Sequence, residues 1–316
     1  MSDLDVLAVA KLSPLLAEPL HANYRVHDRL HETDPQAFAA VAPRIRAIAA
    51  SGESKVGAEL IAQLPALEII SVMGVGYDGI DVAAAKARGV VVTHTPSVLN
   101  DDVADLALAL MLAVARAIPQ ADRYVRDGRW EASGAMPLAR KLSGSRLGLV
   151  GMGRIGQAIA QRALAFRMDV AYTARSAKSD LPYKFFATPQ ALAAESDFLV
   201  VITPGGAATR KLIGASVFEA LGPRGYVVNV ARGSVIDEAA LTDALERGVI
   251  AGAGLDVFED EPRVPARLKA LPNVVLTPHI GSATNETRRA MADLAYANLD
   301  AKLTGKPLLT PVPECR

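Results

Sequence analysis

The segment around residue 151 joins a short apolar run, three spaced glycines and a helix-forming stretch. Leu147–Val150 is followed by Gly151, Gly153 and Gly156, and then by Gln157–Arg162. In a βα turn with this spacing, the first glycine allows the tight bend, the second lets the backbone approach a pyrophosphate, and the third lets helix and strand pack closely. The spacing alone is a weak signal because glycine is common, but its position between a strand and a helix disfavours an ordinary turn. The segment therefore predicts a dinucleotide-binding α/β domain with phosphates at the helix N-terminus.

Short β-rich apolar runs alternate with alanine-rich helical stretches along most of the 316 residues. Strands that are almost continuously hydrophobic, with helices between them, are typical of parallel sheets covered on both faces. The first series of predicted strands lies at residues 5–10, 45–49, 67–72 and 90–93. The pattern restarts with predicted strands at residues 146–150, 169–172, 198–202, 226–230, 253–257 and 274–276.

Two longer helices are predicted at residues 101–117, capped by Asn100 or Asp101, and at residues 285–303. The expected fold class is α/β, with two doubly wound parallel-sheet domains: a Rossmann cofactor domain inserted in a flavodoxin-like substrate-binding or lid domain. The expected boundaries are 1–98 for the first part of the lid domain, 99–284 for the NAD(P)-binding domain, and 285–316 for a C-terminal helix that returns to the substrate domain.

The charge balance and the apolar segments limit the kinds of partner. Basic and acidic residues number 34 each, so a net charge of zero favours neither nucleic acid nor an anionic membrane. The most apolar stretch, Leu106–Ala115, is about half the ~20 residues of a membrane-spanning helix. The acidic start, Ser2–Asp5, is unlike a secretion signal, and the single cysteine, Cys315, cannot form an intrachain disulfide. We expect a cytoplasmic protein without a metal site.

The residues after the second strand of the cofactor domain bear on the choice of cofactor. An NAD-binding domain usually carries an acidic residue about 20 positions beyond the glycine turn, where it binds the ribose 2′-hydroxyl. Here that strand ends before Arg175, Ser176 and Lys178, while Asp169 stands at the opposite end. A guanidinium with a neighbouring hydroxyl suits a 2′-phosphate. The sequence favours NADP(H), with NAD(H) possible; the alternative is that Arg175 is an ordinary surface arginine.

Three polar residues follow predicted strands of the second series: Arg232, Glu261 and His279. Ligands of doubly wound sheets collect at the carboxyl ends of the strands, so we expect these side chains to meet. Reduction of a 2-keto acid needs a cation for the carboxylate, a proton donor for the new alkoxide, and a group that keeps the donor protonated. Arginine, histidine and glutamate suit these three tasks. Each alone has an ordinary alternative as a loop or surface residue; their joint placement favours a catalytic set.

Five blocks along the chain resemble the D-isomer-specific 2-hydroxyacid dehydrogenase family. They cover Gly74–Asp81, Val150–Gly156, Asn229–Asp237, Gly254–Pro262 and Thr277–Ser282. By this resemblance, Arg232 binds the substrate carboxylate and orients the keto group, His279 is the general acid/base, and Glu261 is its partner. The N–H groups of Val75 and Gly76 would also hold the carboxylate. The resemblance and the glycine turn together imply these cofactor-binding residues: Gly151, Gly153, Arg154, Ile155, Gly156, Arg175, Ser176, Thr203, Pro204, Thr209, Val230, Ala231, Asp256 and Gly281.

The Arg175–Ser176 ending is similar to the NADPH-preferring glyoxylate/hydroxypyruvate reductase and hydroxyphenylpyruvate reductase branch of that family. The family implies a small 2-keto or 2-hydroxy acid substrate and a homodimer built through the cofactor domains. Hydroxyphenylpyruvate or 2-ketogluconate remains an alternative substrate, and a non-catalytic dinucleotide sensor remains an alternative class. One departure is the loop Ile202–Thr209, where glycines replace the acidic turn of many relatives.

Overall fold

The computed structural model describes residues 3–316, which form two compact units. The first unit extends to Leu99 and resumes from Thr284 to Arg316, and the second comprises Asn100–Ala283. Each unit contains one sheet in which every strand pair is parallel, which confirms the predicted α/β class. Among the described residues, none of the helices is long and apolar enough to cross a membrane.

The first unit contains a five-stranded sheet in the order β2-β1-β3-β4-β5, the flavodoxin-like order. Its strands are β1 (Asp5–Ala8), β2 (Arg25–Asp28), β3 (Ile45–Ser51), β4 (Ile69–Met73) and β5 (Val91–Thr93). Five helices accompany them: α1 (Pro14–Asn23), α2 (Leu30–Thr33), α3 (Pro35–Val41), α4 (Ala58–Ala62) and α5 (Val82–Ala87). The last helix of the chain, α14 (Asn285–Leu303), belongs to this unit and contacts β4. It has the bounds that the sequence predicts.

The second unit contains a seven-stranded sheet in the order β12-β11-β10-β9-β6-β7-β8. Its strands are β6 (Arg146–Val150), β7 (Asp169–Thr173), β8 (Lys184–Phe186), β9 (Phe198–Val201), β10 (Tyr226–Asn229), β11 (Gly252–Leu255) and β12 (Val274–Leu276). Its helices are α6 (Asn100–Ala115), α7 (Ile118–Arg126), α8 (Arg129–Ser133), α9 (Arg154–Ala165), α10 (Pro189–Ala194), α11 (Ala215–Leu221), α12 (Glu238–Glu246) and α13 (Ala266–Ala270). The strand order reverses between β6 and β9, as in the Rossmann fold, and a ligand crevice forms at such a switch point.

Two strands were missing from the predictions, and both are at sheet edges. β2 has no buried residue, and the three residues of β8 are exposed or half-buried. An edge strand that buries neither face lacks the apolar run on which strand prediction depends. The helix expected to start after a cap at Asn100 or Asp101 instead includes Asn100 as its first residue.

Acidic and hydroxyl side chains begin several helices, as their positions in the sequence indicate. Asp34, Asp81 and Asp237 each accept a hydrogen bond from the N–H three residues later, at 2.9, 2.8 and 3.3 Å. Thr188 and Thr284 do the same for α10 and α14. Each such cap satisfies one of the N–H groups that a helix start leaves open, typically stabilising the helix by about 1 kcal/mol.

Candidate active site

The glycine turn between β6 and α9 has the backbone geometry that its spacing predicts. Gly151 has φ +112°, and a Cβ there would lie 2.5 Å from the carbonyl oxygen of Ile202 on the neighbouring strand end. A Cβ on Gly156 would collide with the carbonyl of Gly151, so both positions need glycine. Gly153 has open space where its Cβ would stand, and in the described chain no side chain caps the helix that starts after it. The first turn of α9, which begins at Arg154, therefore starts beside open space, where helix N–H groups can bind an anion.

The residues after β7 present a cation and a hydroxyl to solvent. Arg175 and Ser176 are both exposed, and Asp169 stands at the other end of the strand. The fully buried Tyr172 fixes this loop: its hydroxyl oxygen accepts a hydrogen bond from the Lys178 N–H at 2.6 Å. This end of β7 thus offers groups that match a 2′-phosphate.

The next two strand ends carry the other expected cofactor residues. Thr203 and Pro204 follow β9, where the Thr209 hydroxyl donates to the Pro204 carbonyl at 2.7 Å and closes the glycine-containing loop on itself. Val230 and Ala231 follow β10 and are both buried. Because all strands of this sheet are parallel, these ends lie along the same edge as the glycine turn.

Two hydrogen bonds of the Asn229 side chain fix the backbone around Arg232 at the end of β10. The side chain of Asn229, 1% exposed, accepts from the Ala231 N–H at 3.0 Å and donates to the Arg232 carbonyl at 3.0 Å. A Cβ on Gly233 would collide with the backbone of Phe258, so the Arg232 loop packs directly on the turn that leads to Glu261. The half-buried guanidinium is close enough to Glu261 to lower the pKa of that carboxyl.

Glu261 and His279 form a hydrogen-bonded pair in the second unit. The Nδ1 atom of His279 lies 2.8 Å from Oε2 of Glu261, and Oε1 accepts from the Phe258 N–H at 2.9 Å. Burial raises the pKa of Glu261, but the hydrogen bonds from His279 and Phe258 and the charges of His279 and Arg232 outweigh it, so the net pKa lies below its usual value. Glu261 is therefore a carboxylate at neutral pH, and through Nδ1 it sets the orientation of the imidazole ring.

The loop that carries His279 is held by Asp256, which is 1% exposed at the end of β11. Its Oδ1 accepts from the Thr277 hydroxyl at 2.6 Å and from the Ile280 N–H at 2.8 Å, and its Oδ2 accepts from the Gly281 N–H at 2.8 Å. The Asp256 carbonyl accepts from the His279 N–H at 2.8 Å. These bonds hold His279 at φ +52°, in the left-handed region that few non-glycine residues adopt.

The two expected carboxylate-binding residues of the first unit lie in the loop after β4. Val75 and Gly76 are half-buried there, and the backbone approaches Gly52 so closely that a Cβ on Gly74 would lie 2.7 Å from the Gly52 Cα. In the described part of the chain, no acceptor is paired with the N–H of Val75 or Gly76. Both donors are therefore available to an anion.

Sequence reasoning missed the buried polar residues that hold these groups in place. Asn229 and Tyr172 lie at the ends of apolar strands, and each side chain bonds to the backbone of the loop that follows. The half-buried Thr277 follows β12 and donates its hydroxyl to the Asp256 carboxylate. A polar residue at the end of a buried strand is a signal for such a role, because buried polar groups need partners.

Comparison with known proteins gives consistent matches. The family model described as "D-isomer specific 2-hydroxyacid dehydrogenase, NAD binding domain" matches residues 108–281. A hydroxyphenylpyruvate reductase of Plectranthus scutellarioides is 45% identical over 99% of this chain and 100% of its own length. A glyoxylate/hydroxypyruvate reductase A of Arabidopsis thaliana is 49% identical over 85% of each chain. The crystal structure of an NADPH-dependent glyoxylate/hydroxypyruvate reductase of Sinorhizobium meliloti, in complex with NADP and malonate, is 45% identical and superposes with a TM-score of 0.92, covering 99% of this chain and 98% of that one.

Proposed function

The chain belongs to the D-isomer-specific 2-hydroxyacid dehydrogenase family and is thus an oxidoreductase that uses a nicotinamide dinucleotide, and from this premise we propose that it reduces small 2-keto acids, glyoxylate and hydroxypyruvate, to D-2-hydroxy acids with NADPH. The observation that carries the proposal is the 2.8 Å pair of His279 and Glu261 beside Arg232, on one edge of the sheet that carries the glycine turn. The unit Asn100–Ala283 serves as the cofactor domain, and the other unit as the substrate or lid domain.

Each residue of the set has a task in the reaction. Arg232 binds the substrate carboxylate through its two-pronged guanidinium and orients the keto group. His279 donates a proton from Nε2 to the keto oxygen as negative charge develops there, and the Glu261 carboxylate stabilises the protonated imidazole before the transfer. The N–H groups of Val75 and Gly76 hold the carboxylate from the lid domain. The reduced nicotinamide, when bound, supplies the hydride to the keto carbon.

NADPH is the favoured cofactor because the end of β7 carries Arg175 and Ser176 and no carboxylate. Arg175 pairs with the 2′-phosphate, and the Ser176 hydroxyl donates to it. The related reductase of Sinorhizobium meliloti is NADPH-dependent, which supports the same preference. NADH is expected to be a poorer cofactor because it leaves the Arg175 guanidinium without its anion.

A homodimer is proposed through the segment that follows α6. Large apolar side chains are exposed there on α7, α8 and the loop after them: Ile118, Val125, Trp130 and Leu138, with Trp130 63% exposed. Apolar residues clustered on one segment mark a protein interface more often than single ones do. A second copy of this chain is the proposed occupant. Sedimentation should show a dimer for the parent protein and a monomer for a Trp130→Ser, Leu138→Ser double variant, while Leu164→Ser, at an exposed apolar site on α9, should leave the dimer intact.

The experiment that tests the reaction follows the absorbance of reduced nicotinamide with glyoxylate, hydroxypyruvate and 4-hydroxyphenylpyruvate, each with NADPH and with NADH. Rapid oxidation of NADPH with glyoxylate or hydroxypyruvate supports the proposal. Preference for 4-hydroxyphenylpyruvate would instead indicate that the chain acts on the substrate named for its Plectranthus relative. No turnover with any of the three would overturn the proposed activity.

A further inference from the structure

The loop Gly74–Gly76 is held by two residues that follow β5. The Thr95 N–H donates to the Gly74 carbonyl at 2.8 Å, and the Nδ1 atom of His94 lies 3.0 Å from the Val75 carbonyl oxygen. Because a carbonyl oxygen only accepts, Nδ1 carries the proton in this contact. His94 is 8% exposed, so its ring makes this bond away from bulk water.

The two carbonyls belong to the same peptide groups as the two donors assigned to the substrate. The Gly74 carbonyl and the Val75 N–H form one planar unit, and the Val75 carbonyl and the Gly76 N–H form the next. In a trans peptide the carbonyl and the N–H point in opposite directions. A donor on each carbonyl therefore fixes the direction of the N–H on the other side. It also polarises the peptide, which strengthens that N–H as a donor.

His94 is itself anchored by the chain that follows α14. The Thr310 hydroxyl donates to the His94 carbonyl at 2.6 Å, and the His94 N–H donates to the Thr310 carbonyl at 3.2 Å. Asn298, buried on α14, donates to the Thr310 hydroxyl at 2.7 Å and accepts from the Thr310 N–H at 2.9 Å. A continuous set of hydrogen bonds thus runs from α14 to the Val75 peptide.

The aromatic ring of Tyr77 packs against the ring of His94. It meets the His94 ring edge-to-face, with centroids 5.3 Å apart and planes at 87°. The Tyr77 hydroxyl donates to Glu314 at 3.1 Å, and burial together with that carboxylate raises the pKa of Tyr77 to about 12. Tyr77 is therefore a neutral donor at physiological pH, and it holds the His94 ring against the loop.

We propose that His94 is a positioning residue that sets the affinity for the keto acid by aiming the Gly76 N–H at the substrate carboxylate. The proposal rests on the proposed function, in which Val75 and Gly76 bind that carboxylate. The Val75 N–H is fixed by a backbone donor, Thr95, which no side-chain change removes. The Gly76 N–H depends on the side chain of His94, so a substitution there should separate the two donors.

Three variants test this role. His94→Leu removes the donor and keeps an apolar side chain in the buried space. His94→Asn keeps a donor, because the amide nitrogen of asparagine occupies nearly the place of Nδ1. His21→Leu is the matched control, since His21 is half-exposed and paired with Asp28 at 3.0 Å, within the same unit. KM and kcat for glyoxylate are measured with saturating NADPH, and hydrogen exchange of the 74–77 amides is measured in the enzyme without substrate.

We expect His94→Leu to raise KM about tenfold with kcat within about twofold, the loss of one hydrogen bond to an anion. Exchange of the 74–77 amides should quicken in the same variant. His94→Asn should remain within about threefold of the parent KM, and His21→Leu should match the parent. Should His94→Leu fail to fold, Thr310→Val, which removes the hydroxyl that holds the His94 carbonyl, should raise KM in the same direction by a smaller factor.

An unchanged KM in His94→Leu would overturn the proposal, whatever the exchange rates. Equal rises in His94→Leu and His94→Asn would also overturn it, because packing rather than the donor would then be responsible. If the parent enzyme turns over none of the keto acids, the proposed function fails and this proposal falls with it. That outcome is distinct from normal turnover with an unchanged KM.

Discussion

His279 and Glu261 lie on loops after different strands, yet Nδ1 of the histidine is 2.8 Å from Oε2 of the glutamate. The glutamate is half-buried and also held by the Phe258 N–H at 2.9 Å, so its position does not depend on the histidine alone. A carboxylate fixed in this way orients the imidazole and stabilises its protonated form. In the proposed reaction, the pair therefore determines which nitrogen of His279 faces the keto oxygen.

His279→Gln should chiefly lower kcat, because glutamine can donate a hydrogen bond but cannot release a proton to the alkoxide. The expected loss is about 10²- to 10⁴-fold if general acid catalysis is its role. The dissociation constant for NADPH, measured by protein fluorescence, should stay within about threefold of the parent, since the phosphate site lies at the glycine turn. A near-normal kcat would remove His279 from the acid role.

Glu261→Gln should move the alkaline limb of the kcat/KM profile to lower pH. The reductive reaction needs a protonated acid, and the neutral amide no longer stabilises the imidazolium, so the active form is lost at a lower pH than in the parent. Because the pKa of Glu261 lies below its usual value, the parent carboxylate stays ionised across the neutral range and contributes no limb there. Profiles from pH 5 to 9 for parent and variant check the direction. An alkaline limb that stays in place would mean that Glu261 does not act on the proton donor.

Asp256→Asn should lower kcat and stability together. An amide has one accepting oxygen and a donating nitrogen, so it cannot satisfy the Thr277 hydroxyl and the N–H groups of Ile280 and Gly281 at once. We expect a loss of about 1–3 kcal/mol in the free energy of unfolding and at least about a tenfold drop in kcat, as the His279 loop leaves its left-handed conformation. Asp243→Asn, an exposed carboxylate on α12, is the control and should change neither. Parent-like kcat in Asp256→Asn would show that the loop keeps its shape without these bonds.

The strand-end residues were accessible to sequence reasoning because parallel strands bring their carboxyl ends to one edge. Arg232, Glu261 and His279 follow β10, β11 and β12, and the glycine turn follows β6. The predicted strands alone were therefore enough to predict that these residues lie along one edge of the sheet. The hydrogen bond from His94 to the Val75 carbonyl could not be predicted from the sequence. It depends on Thr310, which comes from the far end of the chain and lies beside β5. The edge strand β2 was missed because none of its residues is buried, so it lacks the apolar run that predicts a strand.

Arg175→Ala should reduce the preference for NADPH over NADH. The guanidinium is exposed at the end of β7, so its removal costs the 2′-phosphate a charge-assisted partner and leaves NADH unaffected. We expect KM for NADPH to rise about tenfold and KM for NADH to change less than about twofold. Lys184→Ala, on the edge strand β8, is the control for a simple loss of positive charge. Equal changes for the two cofactors would show that Arg175 does not contact the 2′-phosphate.

Asp197→Asn should destabilise the second unit without a direct effect on the active site. Asp197 accepts from Arg140 at 2.8 Å and from the backbone N–H of Arg146 at 2.9 Å, at the opposite end of β6 from the glycine turn. Burial raises the pKa of its carboxyl, but the hydrogen bonds and charges of Arg146 and Arg140 outweigh it, and the net pKa is lowered. Because the pKa of Asp197 is lower in the folded protein than in the unfolded chain, its stabilising effect is complete above the pKa of the unfolded chain. It is lost as the pH falls through the pKa of the folded protein. Urea unfolding at pH 7 should show the variant less stable by about 1–3 kcal/mol. The difference should persist at pH 5 and shrink only below the usual aspartate range; a difference that vanishes by pH 5 would contradict the assignment of the stabilising charge to Asp197.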